Sequence, residues 1–244
     1  MKPFLLLATR AEDTAADNEY ASFCRFTGLD PSQLVRHRWE RKPLDGLDLD
    51  DYSGIFMGGS PFTTSDPDDL TSPAQRRVER ELWPLLRAVV DRDFPLLGAC
   101  YGIGTLGVHL GGVVDRTYGE PIGPVPVTTT VEGAADPVFG SLPTRFEAFV
   151  GHKEAITELP AEAVLLAGSP ACPVQAFRVG RNVYATQFHP ELDVEGLCTR
   201  IDVYKYAGYF EPAEAEVIKL AAHRAPVDAP PRLLRRFVEV HARL

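Results

Sequence analysis

An apolar run, Phe94-Pro95-Leu96-Leu97-Gly98, passes with no intervening loop into Ala99-Cys100-Tyr101-Gly102. Residues 101–110 then carry a helical pattern that stops at Gly111-Gly112. A short buried strand turning straight into a helix is a unit of parallel α/β sheets. The same grammar recurs. Residues 4–8 and 33–38 read as strands and 18–27 as a helix. Gly54-Ile55-Phe56-Met57 stops at the loop Gly58-Gly59-Ser60-Pro61. Ser72-Pro73-Ala74-Gln75 combines an N-cap, a first-turn proline and a capping-box glutamine. Ala74, Val78, Leu82, Leu85, Leu86 and Val89 follow at helical spacing, which predicts a helix over residues 73–91.

The middle of the chain reads differently. Residues 125–131, 146–150, 164–167 and 174–179 look like strands with little helix between them. Gly180-Arg181-Asn182 is a turn whose returning strand is 183–188. Helices are expected over 194–206, after Pro212 and after Pro231, with 225–231 as a proline-rich linker. The expected fold is α/β: a mixed, mostly parallel open sheet flanked by helices, with a short C-terminal helical extension. Residues 1–193 are expected to form the catalytic domain, and 194–244 an extension packed on it.

Composition narrows the function. Lys and Arg total 25, Asp and Glu 34, and the net charge is -9. An acidic chain with no basic stripe is a poor partner for nucleic acid. Arg232, Arg235 and Arg236 read as a solvated helix face. No segment is long and apolar enough to cross a membrane. The apolar start is too short for a signal peptide and meets Arg10, Glu12 and Asp13 at once. Cys24, Cys100, Cys172 and Cys198 form no C-x-x-C pair, which favours free thiols in a reducing, cytoplasmic setting.

Gly98-Ala99-Cys100-Tyr101-Gly102 has the layout of a nucleophile elbow. The helix start beside the sulfur favours thiolate, and the next backbone N–H can help hold an oxyanion. A buried structural cysteine is the competing reading. Gln187-Phe188-His189-Pro190-Glu191 weighs against it. In an extended chain the period of two puts His189 and Glu191 on one side, where a carboxylate fixes the imidazole tautomer.

These two blocks resemble the class I glutamine amidotransferases, which release ammonia from glutamine through a Cys-His-Glu triad, and look closest to stand-alone relatives of the glutaminase domain of GMP synthase. The resemblance covers about residues 4–191. It implies Cys100 as nucleophile, His189 as acid and base, Glu191 as its orienting carboxylate, and an oxyanion hole from the N–H groups of Gly59 and Tyr101. It places Gly58, Gly104, Gly151 and His152 at the substrate pocket and calls for no metal or organic cofactor. Two departures stand out. The loop Gly58-Gly59-Ser60-Pro61 differs from the family's usual Ser-Gly-Gly-Pro order. Gly104 occupies a position where the family usually carries glutamine. Gly104 either gives space to a larger γ-glutamyl substrate, leaves glutamine to other groups, or marks a protein under little demand for activity.

Three readings follow from the residues and the resemblance. One is a glutamine amidase, alone or feeding a synthetase on a separate chain. Another is a γ-glutamyl peptidase or hydrolase acting on a bulkier small molecule. The third is a non-catalytic member that binds a metabolite or partner. The segment 200–206 either faces such a partner or packs as an amphipathic helix.

Overall fold

The computed structural model describes residues 1–243 except 68 and 70. Its strands are β1 (Phe4–Ala8), β2 (Leu34–Arg38), β3 (Gly54–Met57), β4 (Leu96–Ala99), β5 (Val113–Asp115), β6 (Glu120–Thr129), β7 (Arg145–His152), β8 (Ala155–Glu158), β9 (Val164–Gly168), β10 (Ala176–Val179) and β11 (Val183–Thr186). Its α-helices are α1 (Asp13–Thr27), α2 (Pro73–Asp91), α3 (Tyr101–His109), α4 (Val131–Ala135), α5 (Val194–Val203), α6 (Ala215–Arg224) and α7 (Pro231–His241).

Nine strands form one mixed sheet in the order β2-β1-β3-β4-β11-β10-β9-β6-β7, and β5 pairs with β8 alongside it. From β2 to β11 the pairing is parallel, and from β11 to β7 it is antiparallel. This is the mixed α/β architecture expected. The parallel half explains the continuous apolar runs, because both of its faces are covered. Phe4, Leu6 and Phe56 point to one face and meet Phe23 of α1 and Leu233 and Phe237 of α7. Leu5, Leu7 and Ile55 point to the other and meet Val78, Leu82 and Leu86 of α2. Phe237 lies 5.2 Å from Phe56 and 6.3 Å from Phe4, ring centre to ring centre, so the last helix belongs to the main core.

Several elements depart from the sequence expectation for local reasons. Helix α1 starts at Asp13 rather than 18, because its first turn buries only Ala15 and Ala16 and so gives a weak apolar signal. Val131 ends no strand. Thr130 accepts from Gly133 N at 3.0 Å, caps α4, and leaves Val131 82% exposed. Strand β6 begins at Glu120 despite Pro121, Pro124 and Pro126. It meets β9 only at Thr128 and Thr129, so those prolines lie where β7 is its single neighbour. The short pair β5–β8 carries a register shift and no repeating pattern, and was not anticipated. Residues 225–231 are a short connection. Ala229 is buried, and Pro230 and Pro231 open α7.

The registers set what the sheet presents at one edge. Leu7 is level with Met57, Met57 with Gly98, and Ala99 with Thr186. The segments leaving the C-terminal ends of four parallel strands therefore start side by side: Thr9-Arg10, the loop from Gly58, Cys100, and Gln187 to Glu191. Open α/β sheets bind ligands at this edge.

Candidate active site

Cys100 is the residue between β4 and α3, with φ 52° and ψ −85°. A non-glycine residue in that region stores strain, and such strain concentrates at functional sites. The corner is held from both sides. Cys100 N donates to Thr186 O at 2.7 Å, and Cys100 O accepts from Ile103 N at 3.1 Å. The flanking glycines are required by close approach. A Cβ on Gly98 would stand 3.0 Å from Gly102 Cα, and one on Gly102 would stand 3.0 Å from Met57 Cε. Tyr101 is the first residue of α3, where no preceding helical turn supplies a carbonyl for its N–H.

His189 follows β11, and its N–H donates to Phe149 O of β7 at 3.0 Å. Its Nδ1 lies 2.8 Å from Glu191 Oε1, with both side chains buried. Cys100 and His189 line the same cavity. Gly59 packs against the imidazole: a Cβ there would stand 2.4 Å from His189 Cε1 and 3.0 Å from Arg10 Nη2. Gly58 is one step back, where a Cβ would meet Glu19 Oε2 at 2.7 Å.

Behind the imidazole lies a buried ionic network that the sequence reading missed. Arg200 Nη2 donates to Glu191 Oε1 at 2.9 Å and to Glu19 Oε1 at 3.1 Å. Arg10 Nε donates to Glu19 Oε1 at 2.9 Å, and its Nη1 donates to Tyr204 OH at 3.4 Å. Tyr204 OH donates to Glu12 Oε2 at 2.8 Å. Two guanidinium groups facing two carboxylates satisfy the rule that buried charges are paired. A signal existed. Glu19 sits on the buried stripe of α1 with Ala15, Ala16, Ser22 and Phe23, and Arg200 on that of α5 with Leu197 and Ile201. A charge on an apolar stripe announces a partner. Residues 200–206 are thus divided: Arg200 and Tyr204 face inward, while Tyr206 is 84% exposed.

Burial sets the resting charges. It pushes the Cys100 thiol up to about 12, Arg10 and Arg200 pulling it down and Glu191 and Glu154 adding to the rise. Burial also holds the His189 imidazole down to about 4. Glu191 pulls it up, and Arg200 and Arg10 press it down. Burial opposes ionisation of Glu191 too, but His189 and Arg200 hold its carboxyl well below the usual range. At neutral pH the pair rests as thiol and neutral imidazole, so the helix start does not by itself yield the thiolate expected from the sequence.

A second small cavity opens on the other side of Cys100, between Thr63, Gly104, Gly151, Glu154 and Gln187. Glu154 clasps the loop beyond Gly58-Gly59. Its Oε1 accepts from Thr64 N and its Oε2 from Ser65 N, both at 2.7 Å. Gly104 borders this cavity. A Cβ there would stand 3.3 Å from Thr64 Oγ1 and 3.4 Å from Glu154 Oε1. Gly151 borders both cavities. His152 contributes to the second wall, but both ring nitrogens are engaged, Nδ1 with Glu154 O at 2.8 Å and Nε2 with Glu120 Oε2 at 2.9 Å. Glu120, His152 and Cys172 bring possible ligand atoms within 4.8 Å of one another. Gln175 Nε2 donates to the same Glu120 oxygen at 2.6 Å, so the cluster is already joined by hydrogen bonds.

The segment after α5 closes the site. Tyr209 borders both cavities, its ring under Lys153 Nζ at 4.6 Å, and burial raises its hydroxyl to about 12. Among the described residues no helix is long and apolar enough to cross a membrane.

Comparisons with known proteins agree with this fold. The family described as glutamine amidotransferase class-I matches residues 29–196. A glutamine-hydrolyzing GMP synthase subunit of Thermoplasma acidophilum is 30% identical over 170 residues, covering 69% of this chain and 75% of that protein. The glutamine-hydrolyzing GMP synthase of Pseudomonas putida is 29% identical over 162 residues, and the match spans only 28% of its length. A glutamine amidotransferase structure from Thermotoga maritima superposes with a TM-score of 0.79 at 20% identity, covering 99% of this chain and 98% of that one.

Proposed function

Because this chain belongs to the class I glutamine amidotransferases, we propose that it hydrolyses the side-chain amide of glutamine through a thioester on Cys100 and releases ammonia. The observation that carries the reading is the strained Cys100 corner opening on one cavity with His189, whose Nδ1 is held by Glu191 at 2.8 Å.

In this reading the neutral pair sets the order of events. As Cys100 Sγ bonds to the amide carbon, His189 Nε2 takes the thiol proton. The N–H groups of Gly59 and Tyr101 hold the oxyanion. The C–N bond then breaks and the nitrogen leaves with the proton from His189. Water attacks the thioester, its proton passing to His189, and the sulfur departs and is reprotonated. Glu191 stabilises the transient imidazolium. Lys153 and Glu154 offer one charge of each sign at the second cavity, which suits the ammonium and carboxylate of an amino-acid end. Gly58 leaves space for Glu19, since any Cβ there would stand 2.7 Å from Glu19 Oε2.

The Thermoplasma relative is named as a subunit, which supports ammonia passing to a synthetase on a separate chain. Cys100 and His189 on one cavity, with Glu191 on the imidazole, weigh against a purely binding role. The test is release of ammonia and glutamate from glutamine, with Cys100→Ser as the control. Turnover that survives in the variant overturns the reading.

A further inference from the structure

The register of β6 on β7 sets Glu120 opposite His152. Cys172, in the loop between β9 and β10, completes a group that the chemistry at Cys100 does not use. Possible ligand atoms of the three lie within 4.8 Å of one another, and the residues are 4%, 6% and 0% exposed. His152 Nδ1 stands 2.8 Å from Glu154 O. A carbonyl only accepts, so Nδ1 carries the proton, and Nε2 of the neutral ring is a bare lone pair. Yet Nε2 faces Glu120 Oε2 at 2.9 Å. Two acceptors that close need a positive centre between them, either a proton or a metal ion.

We propose that Glu120, His152 and Cys172 bind one thiophilic divalent cation of the zinc class. One carboxylate, one imidazole and one thiolate suit zinc, whereas magnesium and calcium take oxygen ligands. The surrounding hydrogen bonds have the pattern that orients metal ligands. The imidazole gives its other N–H to a backbone carbonyl. Glu120 Oε2 accepts from Gln175 Nε2 at 2.6 Å, and its Oε1 from Ser169 Oγ at 3.3 Å. Ser169 Oγ also accepts from Cys172 N at 2.9 Å, which fixes the turn that carries the thiol. Tetrahedral zinc sets its ligand atoms about 3.4 Å apart. The imidazole and carboxylate therefore open slightly, and no pair has to close by more than on the order of 1 Å. Gln175 offers a fourth ligand. It is fully buried and its Oε1 has no hydrogen-bond partner, so turning the amide over presents that oxygen to the cation. Glu120 and His152 also border an outer cavity beside Gly119 and Tyr209, which gives an ion its way in. Binding exchanges two protons for one divalent ion, one proton from the thiol and one shared by His152 and Glu120, so the buried charge does not change. The cation then ties β6, β7 and the β9–β10 loop together behind the wall that carries Lys153 and Glu154. This site stands apart from the Cys100 thioester reading and does not depend on it.

The experiment titrates the intact chain with Co²⁺, followed by thiolate-to-cobalt charge-transfer absorption, and with Zn²⁺, followed by thermal unfolding. Both run in a Cys100→Ser background, so the active-site thiol contributes nothing, and Cys24 and Cys198 stay in every variant. The expected result is the charge-transfer band at one equivalent of Co²⁺ and a saturable rise of Tm with Zn²⁺. Adding Cys172→Ser should abolish the band. Glu120→Gln, which keeps the side chain's size, should weaken Co²⁺ binding by more than about 100-fold, and Ser169→Ala, which removes no ligand atom, by about 10- to 100-fold. If Cys172→Ser does not fold, Glu120→Gln decides alone. No band in the Cys100→Ser background, or a band and a Zn²⁺-dependent Tm unchanged by Cys172→Ser and Glu120→Gln, overturns the site.

Discussion

Arg200 Nη1 stands 3.0 Å from His189 Nδ1, the nitrogen that faces Glu191 Oε1 at 2.8 Å. One imidazole edge is thus shared by a carboxylate that favours its charged form and a guanidinium that opposes it. With burial, the balance favours neutral imidazole, down to about 4. A base must be unprotonated to act, so kcat/KM on glutamine should rise with pH through a midpoint near 4. It should stay flat through neutrality, since the Cys100 thiol, pushed up to about 12, does not titrate there. A pH–rate profile checks this. A rise centred near pH 7 would mean that the buried environment described here does not govern the pair.

The raised thiol has its own consequence. Thiolate is the species that alkylates. Iodoacetamide labelling of Cys100 should be slow at pH 7 and still climbing at pH 9, as followed by peptide mass spectrometry. Saturation below pH 8 would show a stabilised thiolate instead.

Replacing Glu191 by Gln keeps the side chain's size but removes the charge that supports imidazolium and fixes the tautomer. Neutralising a triad carboxylate costs on the order of 10⁴-fold in kcat. The acid limb should also move to lower pH, because Glu191 pulls the His189 pKa upward. Steady-state kinetics across pH measures both effects.

Arg200→Met leaves Glu191 without one charged partner and Glu19 without another. Breaking a buried ion pair from one side costs about 3–5 kcal/mol. Urea unfolding should show that loss, and a shift under 1 kcal/mol would mean that water reaches the network.

Gly59→Ala would place a methyl group 2.4 Å from His189 Cε1. The imidazole has to move, and turnover should fall by about 10²-fold, in line with the sensitivity of attack geometry. Gly104→Gln should lower activity, because its Cβ would crowd Thr64 Oγ1 at 3.3 Å and the rest of the side chain would enter the second cavity beside Glu154, which clasps residues 64 and 65.

Much of this was legible in the sequence. The strand–Cys100–helix corner could be read because both halves have local signatures, an apolar run and a helical stripe. The pairing of His189 with Glu191 was legible from the resemblance rather than from strand periodicity: β11 ends at Thr186 instead of 188, and a turn closed by Leu192 N donating to His189 O at 3.2 Å brings the two side chains together. Glu19 and Arg200 carried a signal as charges on apolar helix stripes, but the network they join was not legible, because Arg200 meets Glu19 across 181 positions. The neighbours of Gly104 were likewise illegible, since Thr64 and Glu154 come from distant parts of the chain. The sheet's antiparallel half was visible as strands, but β5 and β8 were too short and irregular to leave a pattern.

The most direct measurement is rapid quenching of the enzyme with excess glutamine, followed by intact-protein and peptide mass spectrometry. A glutamyl adduct confined to the peptide containing Cys100, formed within one turnover and absent in Cys100→Ser, is the predicted result. Turnover of glutamine by Cys100→Ser at the wild-type rate, with no adduct on Cys100 in either protein, would contradict it.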